Sequence, residues 1–168
     1  MLKTISAIAR IAALSAVVGF VVLGAQKAGA IAGSEESRNR AAIARSFEAW
    51  RDGTGGPYDL LAEDALWTIT GNSLAGKTYH NREAFMSEVI RPFNGRMAER
   101  LVPTVRRIYA EGDSVIVHFD ARGVARDDKT YVNSYAWLLQ LKDGRIVRAH
   151  AFFDAYAFDD LWRRVQPR

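Results

Sequence analysis

The fold of this chain is decided by residues 101–154, which read LVPTVRRIYAEGDSVIVHFDARGVARDDKTYVNSYAWLLQLKDGRIVRAHAFFD. Four segments rich in β-branched and aromatic residues are separated by the short polar turns EGD, RDD and KDG. Segments of this composition that are joined by tight turns predict an antiparallel meander of four strands.

The residues before the meander predict a first helix. Ile43, Phe47 and Trp50 recur at i, i+4 and i+7, which places them on one helical stripe between residues 38 and 52. The glycine-rich stretch GTGGP, residues 53–57, should end this helix.

Shorter signals place the remaining elements. The predicted elements are a helical turn over residues 58–62, a strand over 65–71, a loop over 71–81, a helix over 82–91 with Asn81 as its cap, and a final helix over 156–165. Helices that precede a long meander indicate an α+β fold rather than a parallel βαβ fold. We expect one domain over residues 38–168, preceded by a short linker over 31–37.

The first thirty residues have the layout of a secretory signal peptide. Lys3 and Arg10 precede the apolar run IAALSAVVGFVVLGA, residues 11–25, and the small residues AGA follow at 28–30. A basic start, a short apolar segment and small residues before the cleavage point are typical of such a signal. We expect cleavage after Ala30 and a periplasmic or secreted bacterial protein; an uncleaved segment would instead anchor the chain to a membrane.

The charge balance argues against a nucleic-acid partner. The chain has 23 basic and 19 acidic residues, but three of the basic residues lie within residues 1–30, which leaves 20 basic against 19 acidic. A basic footprint should persist in the folded part of a nucleic-acid-binding protein. The chain contains no cysteine, which excludes a disulfide, a thiol nucleophile and a cysteine-bound metal.

The last predicted strand carries an unusual face. Because side chains alternate along a strand, Arg148, His150, Phe152 and Asp154 should share one side of RAHAFFD. Neither an ordinary core nor a solvent face favours this mixture of charged and aromatic side chains. We therefore expect this face to line a polar cavity.

The order of the motifs resembles the SnoaL-like branch of the nuclear transport factor 2-like superfamily, which includes ketosteroid isomerase. The motifs are W-x-x-x-G-x-S-x-x-G over residues 67–76, the E-G-D turn, Y-x-N-x-Y from residue 131, D-G-R-I, and a final F-x-D. The resemblance covers residues 38–165 and implies a cone-shaped, curved antiparallel sheet wrapped around helices, with a pocket at the wide end. It also implies a homodimer, because relatives commonly pair through the open face of the sheet.

One departure from the family argues against steroid isomerisation. In ketosteroid isomerase the base lies on the first strand, and the matching position here, aligned through the A-x-D-A pattern at residues 62–65, is Ile69. Isoleucine cannot accept a proton. SnoaL-type cyclases instead carry an aspartate late in the final long strand, where Asp154 stands.

The resemblance and the strand pattern together give a candidate site. Asp154 would be the catalytic acid or base, and His150 would orient it or share its proton. The neighbouring strand would supply hydroxyl and amide donors for a carbonyl or enolate oxygen. The expected substrate-binding residues are Trp67, Tyr131, Asn133, Tyr135, Trp137 and Phe152.

Other interpretations of the same residues remain open. Asp154 is also a favoured cap for the helix that follows it, and the aromatic residues are compatible with ordinary cross-strand packing. His118, Asp120 and Arg122 alternate like a hydrolase charge pair, but we expect them on the wet outer face of the sheet. No metal-ligand spacing or phosphate loop is present in the sequence, so we expect a cofactor-free pocket.

Two hypotheses for the function follow. The first is a cofactor-independent enzyme that moves a proton on a small apolar substrate by isomerisation, cyclisation, dehydration or epoxide opening. The second is a non-catalytic exported module that binds an apolar ligand or assembles through its sheet, anchored to a membrane if the N-terminal segment is retained. The sequence does not identify the substrate.

Overall fold

The computed structural model describes residue 33 and residues 35–168, and Glu36–Arg168 form one compact unit. The predicted signal peptide over residues 1–30 lies outside the described residues. The predicted linker over residues 31–37 is described only in part, and residues 35–37 are already helical. The first helix therefore includes residues before the expected start at residue 38.

Helix α1, residues 35–52, packs its apolar stripe against the sheet. Ile43 and Phe47 are fully buried, and the Phe47 ring meets the Phe119 ring edge-on with the centroids 4.8 Å apart. At the other end, the Glu36 carboxylate accepts a hydrogen bond from the backbone N–H of Gly112 at 3.3 Å. The helix is thereby fixed against the sheet along its length.

The remaining elements follow the predicted order. After α1 come a 3-10 turn at Pro57–Leu60, β1 (Leu61–Ile69), β2 (Thr78–Tyr79), α2 (Arg82–Phe85), a π-helical turn at Met86–Ile90, α3 (Arg91–Asn94), β3 (Met97–Glu111), β4 (Ser114–Ala125), β5 (Thr130–Lys142), β6 (Arg145–Phe153) and α4 (Ala155–Arg164). The predicted second helix is continued by the π-helical turn and α3.

The sheet is curved and six-stranded, in the order β2-β1-β6-β5-β4-β3. Strands β3 to β6 form the predicted antiparallel meander. The expectation of a fully antiparallel sheet is wrong at one pairing, because β1 lies parallel to β6. The chain between these two strands includes α2, α3 and the four strands β2 to β5, which gives ample length for the crossover that parallel pairing requires.

The loop predicted over residues 71–81 contains a short strand that the sequence did not indicate. Strand β2 pairs with β1, and the hydroxyls of Thr68 and Thr78 lie 2.9 Å apart. The turn between them is tight: a Cβ on Gly76 would lie 2.5 Å from the carbonyl oxygen of Gly71. β1 also begins at Leu61, before the expected residue 65.

The two faces of the sheet differ in character. Side chains of β4 and β5 alternate strictly, so that Val115, Val117, Phe119, Tyr135 and Trp137 are buried on the inner face. The outer face carries exposed apolar side chains, which are Tyr109, Ile116, Val132, Leu138 and Phe152. Among the described residues, no helix has the length and apolar composition needed to cross a membrane.

Candidate small-molecule site

A cavity of about 300 Å³ lies on the inner side of the sheet. Its walls come from α1, the 3-10 turn, the helical segment from α2 to α3, the sheet and α4. The aromatic residues of the lining are Trp50, Tyr58, Trp67, Phe85, Phe93, Tyr135, Trp137, Phe153 and Phe158. Asp59 and Asn94 are the remaining lining residues with polar side chains, and no Lys, Arg or His is among the lining residues.

The expectation that Arg148, His150 and Phe152 line the cavity is wrong. All three side chains are exposed on the outer face of the sheet. The inner face of β6 carries Ala149 and Ala151 instead, both of which are buried. The alternation was therefore predicted correctly, but the face turned toward the cavity is the opposite one.

Packing against two tryptophans explains why the alanines face inward. Ala149 lies beside Trp67 of β1, and Ala151 lies beside Trp137 of β5. The two indoles meet edge-on at 5.0 Å between centroids. Small side chains on the strand between them leave room for both rings, whereas Arg, His or Phe would overfill this space.

Asp154 caps helix α4. Its Oδ1 accepts hydrogen bonds from the backbone N–H groups of Tyr156 at 2.9 Å and Ala157 at 3.4 Å. Asp154 is exposed and is not among the residues that line the cavity. The geometry is that of the helix-cap interpretation; a catalytic role for Asp154 and His150 stays a prediction, with neither residue on the cavity wall.

The predicted residues of β5 lie on the inner face. Tyr131, Asn133, Tyr135 and Trp137 are all buried. Of these, Tyr135 and Trp137 line the cavity together with the predicted Trp67, while Tyr131 and Asn133 are not among the lining residues. The structure therefore brings together three of the six residues expected to bind substrate.

A chain of hydrogen bonds connects the residues behind the cavity wall to Tyr135. The Nδ2 of Asn133 donates to the Tyr131 hydroxyl at 2.9 Å, and the Tyr131 and Tyr135 hydroxyls lie 3.1 Å apart. The carboxamide of Asn133 is held in turn by the backbone of Asp154. Asp154 thus contacts this chain of hydrogen bonds through its backbone.

The buried phenols stay protonated at neutral pH. Burial raises the pKa of Tyr135 well above its usual value, and the neighbouring Tyr131 raises it further. Burial also raises the pKa of Tyr131 and of Tyr58. These hydroxyls therefore act as neutral hydrogen-bond donors and acceptors, not as phenolate bases.

The aromatic wall combines stacked and edge-on contacts. Trp67 stacks on Phe85 at 4.4 Å, and Trp50 stacks on Trp137 at 5.9 Å between centroids. The indole N–H of Trp67 is buried and has no hydrogen-bond partner in the described part of the chain. Because most of the lining is aromatic, it can make contact with a flat apolar molecule.

Sequence reasoning missed the residues of the 3-10 turn. Tyr58 and Asp59 line the cavity together with Gly55 and Gly56. The Asp59 Oδ2 accepts the backbone N–H of Gly56 at 2.8 Å, which closes the turn. The stretch GTGGPYD signalled a break after α1, but the pattern contains no indication that this break faces a cavity.

Within residues 35–168, no group of three or more His, Asp or Glu side chains is placed to hold a metal ion. The three histidines of the chain, His80, His118 and His150, are all exposed. His118 and Arg122 lie on the outer face, where the sequence placed them, and Asp120 there is paired with Arg106.

The fold is therefore of the α+β class, with a curved sheet and helices around an aromatic cavity of a size suited to a small molecule. Residues 43–149 match the family described as the SnoaL-like domain. The chain belongs to this family. No curated protein matches the chain in sequence.

Solved structures share the fold at low sequence identity. Bal32a from a soil-derived mobile gene cassette is 23% identical, with a TM-score of 0.63 over 77% of this chain and 99% of that one. A protein of Jannaschia sp. CCS1 described as a SnoaL-like polyketide cyclase is 20% identical, with a TM-score of 0.57 over 73% of this chain and 90% of that one. An epoxide hydrolase of the LEH-like type from M. tuberculosis is 18% identical, with a TM-score of 0.55 over 77% and 92%. These likenesses show the fold.

Proposed function

We propose that the cavity binds a small, mostly aromatic molecule that carries an acceptor oxygen, and that the Tyr135 hydroxyl donates a hydrogen bond to this oxygen. The observation that carries the proposal is the position of Tyr135, which lines a mostly aromatic cavity and is hydrogen-bonded from behind by Tyr131. Pockets of this kind are mostly apolar, with a few polar groups that fix the orientation of the ligand.

The composition of the lining supports a neutral ligand. No cationic side chain lies among the lining residues, so a carboxylate or phosphate would lose its hydration without gaining a charge partner. The named neighbours of the fold are consistent with small organic substrates, since one is described as a polyketide cyclase and another as an epoxide hydrolase.

A cofactor-independent proton transfer on the bound molecule is the second candidate. Asp59 is the one carboxylate among the lining residues, and its Oδ1 has no hydrogen-bond partner in the described part of the chain. A carboxylate with a free oxygen beside the cavity is available to take or return a proton. The competing case is a module that binds the same molecule without changing it.

Binding is tested with 9-fluorenone, a planar ketone, followed by quenching of the tryptophan fluorescence. We expect saturable quenching, because Trp50, Trp67 and Trp137 line the cavity. Ala151→Leu should abolish binding by filling the cavity, whereas Ala136→Leu on the outer face is the matched control and should bind normally. The absence of saturable quenching, or equal binding by both variants, would remove the proposal.

The proton-transfer candidate has its own test. Once a turned-over substrate is found, Asp59→Asn should keep binding and lower the rate by about 10²- to 10⁴-fold. Glu63→Gln, which changes an exposed carboxylate outside the lining, is the control. Unchanged turnover in Asp59→Asn would rule out Asp59 as the acid or base.

Export is a further part of the proposal. The leader over residues 1–30 predicts a mature chain that begins after Ala30 and resides in the periplasm or outside the cell. The intact mass of the protein from its native host tests this directly. A mass that retains the leader would instead support the membrane-anchored alternative.

A further inference from the structure

We propose that Asn133 and Tyr131 are positioning residues that fix the direction of the Tyr135 hydroxyl hydrogen, so that the cavity selects a hydrogen-bond acceptor over a donor. This inference rests on the proposed function of the same cavity and deepens it, because it specifies which chemical group the ligand presents to Tyr135.

The direction is set at Asn133 by the backbone of Asp154. The backbone N–H of Asp154 donates to Oδ1 of Asn133 at 2.9 Å, and Nδ2 of Asn133 donates to the carbonyl oxygen of Asp154 at 3.0 Å. A carboxamide rotated by 180° would place Nδ2 of Asn133 against the backbone N–H of Asp154, and Oδ1 against the carbonyl oxygen of Asp154. Only one orientation of the amide therefore satisfies both backbone groups.

The fixed amide determines what Tyr131 can do. Nδ2 of Asn133 also donates to the Tyr131 hydroxyl oxygen at 2.9 Å, so Tyr131 acts as an acceptor toward Asn133. The hydrogen of the Tyr131 hydroxyl then needs another partner, and within residues 35–168 the Tyr135 oxygen at 3.1 Å is the one available. Tyr131 is only 3% exposed, so its side chain is shielded from bulk water.

The opposite direction leaves a buried hydrogen without an acceptor. If Tyr135 donated to Tyr131, the Tyr131 oxygen would accept from both Asn133 and Tyr135, and its own hydrogen would have no partner. A buried donor without an acceptor is costly, so this arrangement is disfavoured. Tyr131 therefore donates to Tyr135.

Tyr135 is the last member of the chain, and its hydrogen is left for the cavity. Its oxygen accepts from Tyr131, and its hydroxyl has no other partner in the described part of the chain. Tyr135 lines the cavity, whereas Tyr131 does not. A ligand oxygen at this position would accept a hydrogen bond from the Tyr135 hydroxyl. A ligand N–H at the same position would instead place its own hydrogen against the hydroxyl hydrogen of Tyr135.

Three planar tricyclic probes of similar shape separate these cases. 9-Fluorenone presents a carbonyl acceptor, carbazole presents an N–H donor, and fluorene presents neither. Because the probes differ in their own hydration, the informative quantity is the change in the fluorenone-to-carbazole affinity ratio between the wild type and each variant. Affinities are measured by quenching of the tryptophan fluorescence.

The variants give distinct expected results. Tyr135→Phe should weaken fluorenone by about fivefold and leave fluorene unchanged, since a single neutral hydrogen bond is lost. In Asn133→Asp, a carboxylate accepts from Tyr131 and reverses the chain, so fluorenone should weaken and carbazole should strengthen. Tyr109→Phe, on the exposed outer face, is the control and should leave the ratio at the wild-type value.

A second positioning variant keeps the test decisive if Asn133→Asp does not fold. Tyr131→Phe removes the donor that fixes Tyr135, so the fluorenone-to-carbazole ratio should fall without inverting. A purely structural role of Asn133 and Tyr131 would weaken all three probes alike, and that result would overturn the inference. If fluorenone, fluorene and carbazole all fail to bind, the proposed function fails and the inference falls with it.

Discussion

Asp154 contacts the rest of the molecule through two separate groups. Its carboxylate caps α4, while its backbone N–H and carbonyl oxygen pair with the carboxamide of Asn133. A side-chain substitution therefore affects the helix cap but leaves the backbone contact available. This separation makes the residue a useful test of the two interpretations of its carboxylate.

For Asp154→Ala we expect a loss of about 0.5 to 2 kcal/mol in the free energy of unfolding, because the cap of α4 is removed. Asp154→Asn should cost little, since asparagine caps a helix nearly as well. Urea unfolding of both variants measures the difference. An Asn variant that is destabilised as much as the Ala variant would show that the charge, rather than the cap, stabilises the helix.

The buried phenols predict a loss of stability at alkaline pH. Burial raises the folded-state pKa of Tyr58, Tyr131 and Tyr135, and that of Tyr79 to about 12. The unfolded chain therefore releases these protons first as the pH rises, so stability is complete below about pH 10 and falls above it. Urea midpoints at increasing pH test this, and Tyr135→Phe should show a shallower decline. A midpoint that does not change in this range would contradict the assigned burial.

At the scale of elements, the end of α1 is fixed by a residue from a distant strand. Arg100 of β3 donates from Nη1 to the carbonyl oxygen of Trp50 at 2.7 Å and from Nη2 to that of Arg51 at 2.6 Å. These are carbonyls that a helix leaves without internal partners. Because Trp50 also lines the cavity, this contact connects β3 to the shape of the site.

Arg100→Gln should lower the free energy of unfolding by about 1 kcal/mol through the loss of these hydrogen bonds. Arg106→Gln, which breaks an exposed ion pair with Asp120, is the matched control and should cost less than about 0.5 kcal/mol. Urea unfolding gives both values. Equal effects in the two variants would show that Arg100 is no more than a surface charge.

The elements also show what the sequence can determine. The meander, α1 and α4 were predictable because their periodicity and turns lie within short stretches of the chain. The parallel pairing of β1 with β6 and the short strand β2 were not predictable, since they depend on contacts between distant segments. The face of β6 was assigned wrongly for the same reason: Ala149 and Ala151 face inward because Trp67 and Trp137 lie on neighbouring strands.

The residues of the candidate site also include some that the sequence could predict and some that it could not. Tyr135 and Trp137 were predictable from the alternation of β5, which the structure reproduces. Tyr58 and Asp59 were not, because a turn has no periodicity that identifies its inward side. The role of Asn133 behind Tyr131 was also not predictable, since its partner is the backbone of Asp154 and backbone contacts leave no residue pattern.

For the whole molecule, the outer face of the sheet is an open surface with exposed apolar side chains. Ile116 of β4 pairs with Leu138 of β5, and Tyr109 of β3 lies beside Ile116. Phe152 is 42% exposed on β6. A contiguous apolar surface of this kind is characteristic of an interaction site.

We predict that two copies of the chain pair through this face to form a homodimer. Sedimentation at micromolar concentration should give a dimer for the wild type, and Leu138→Lys should shift it to a monomer by placing a charge in the interface. Tyr156→Lys replaces an exposed residue of α4 and is the control that should remain dimeric. A monomeric wild type would remove this prediction.

The inner side of the sheet holds an aromatic cavity, and we propose that this cavity binds an acceptor oxygen through Tyr135. A crystal structure of the protein with bound 9-fluorenone tests it most directly. We predict that the ligand lies in the cavity against Trp67 and Trp137, with its carbonyl oxygen within hydrogen-bonding distance of the Tyr135 hydroxyl. A ligand bound on the outer face, or one whose carbonyl points away from Tyr135 in the cavity, would contradict the claim.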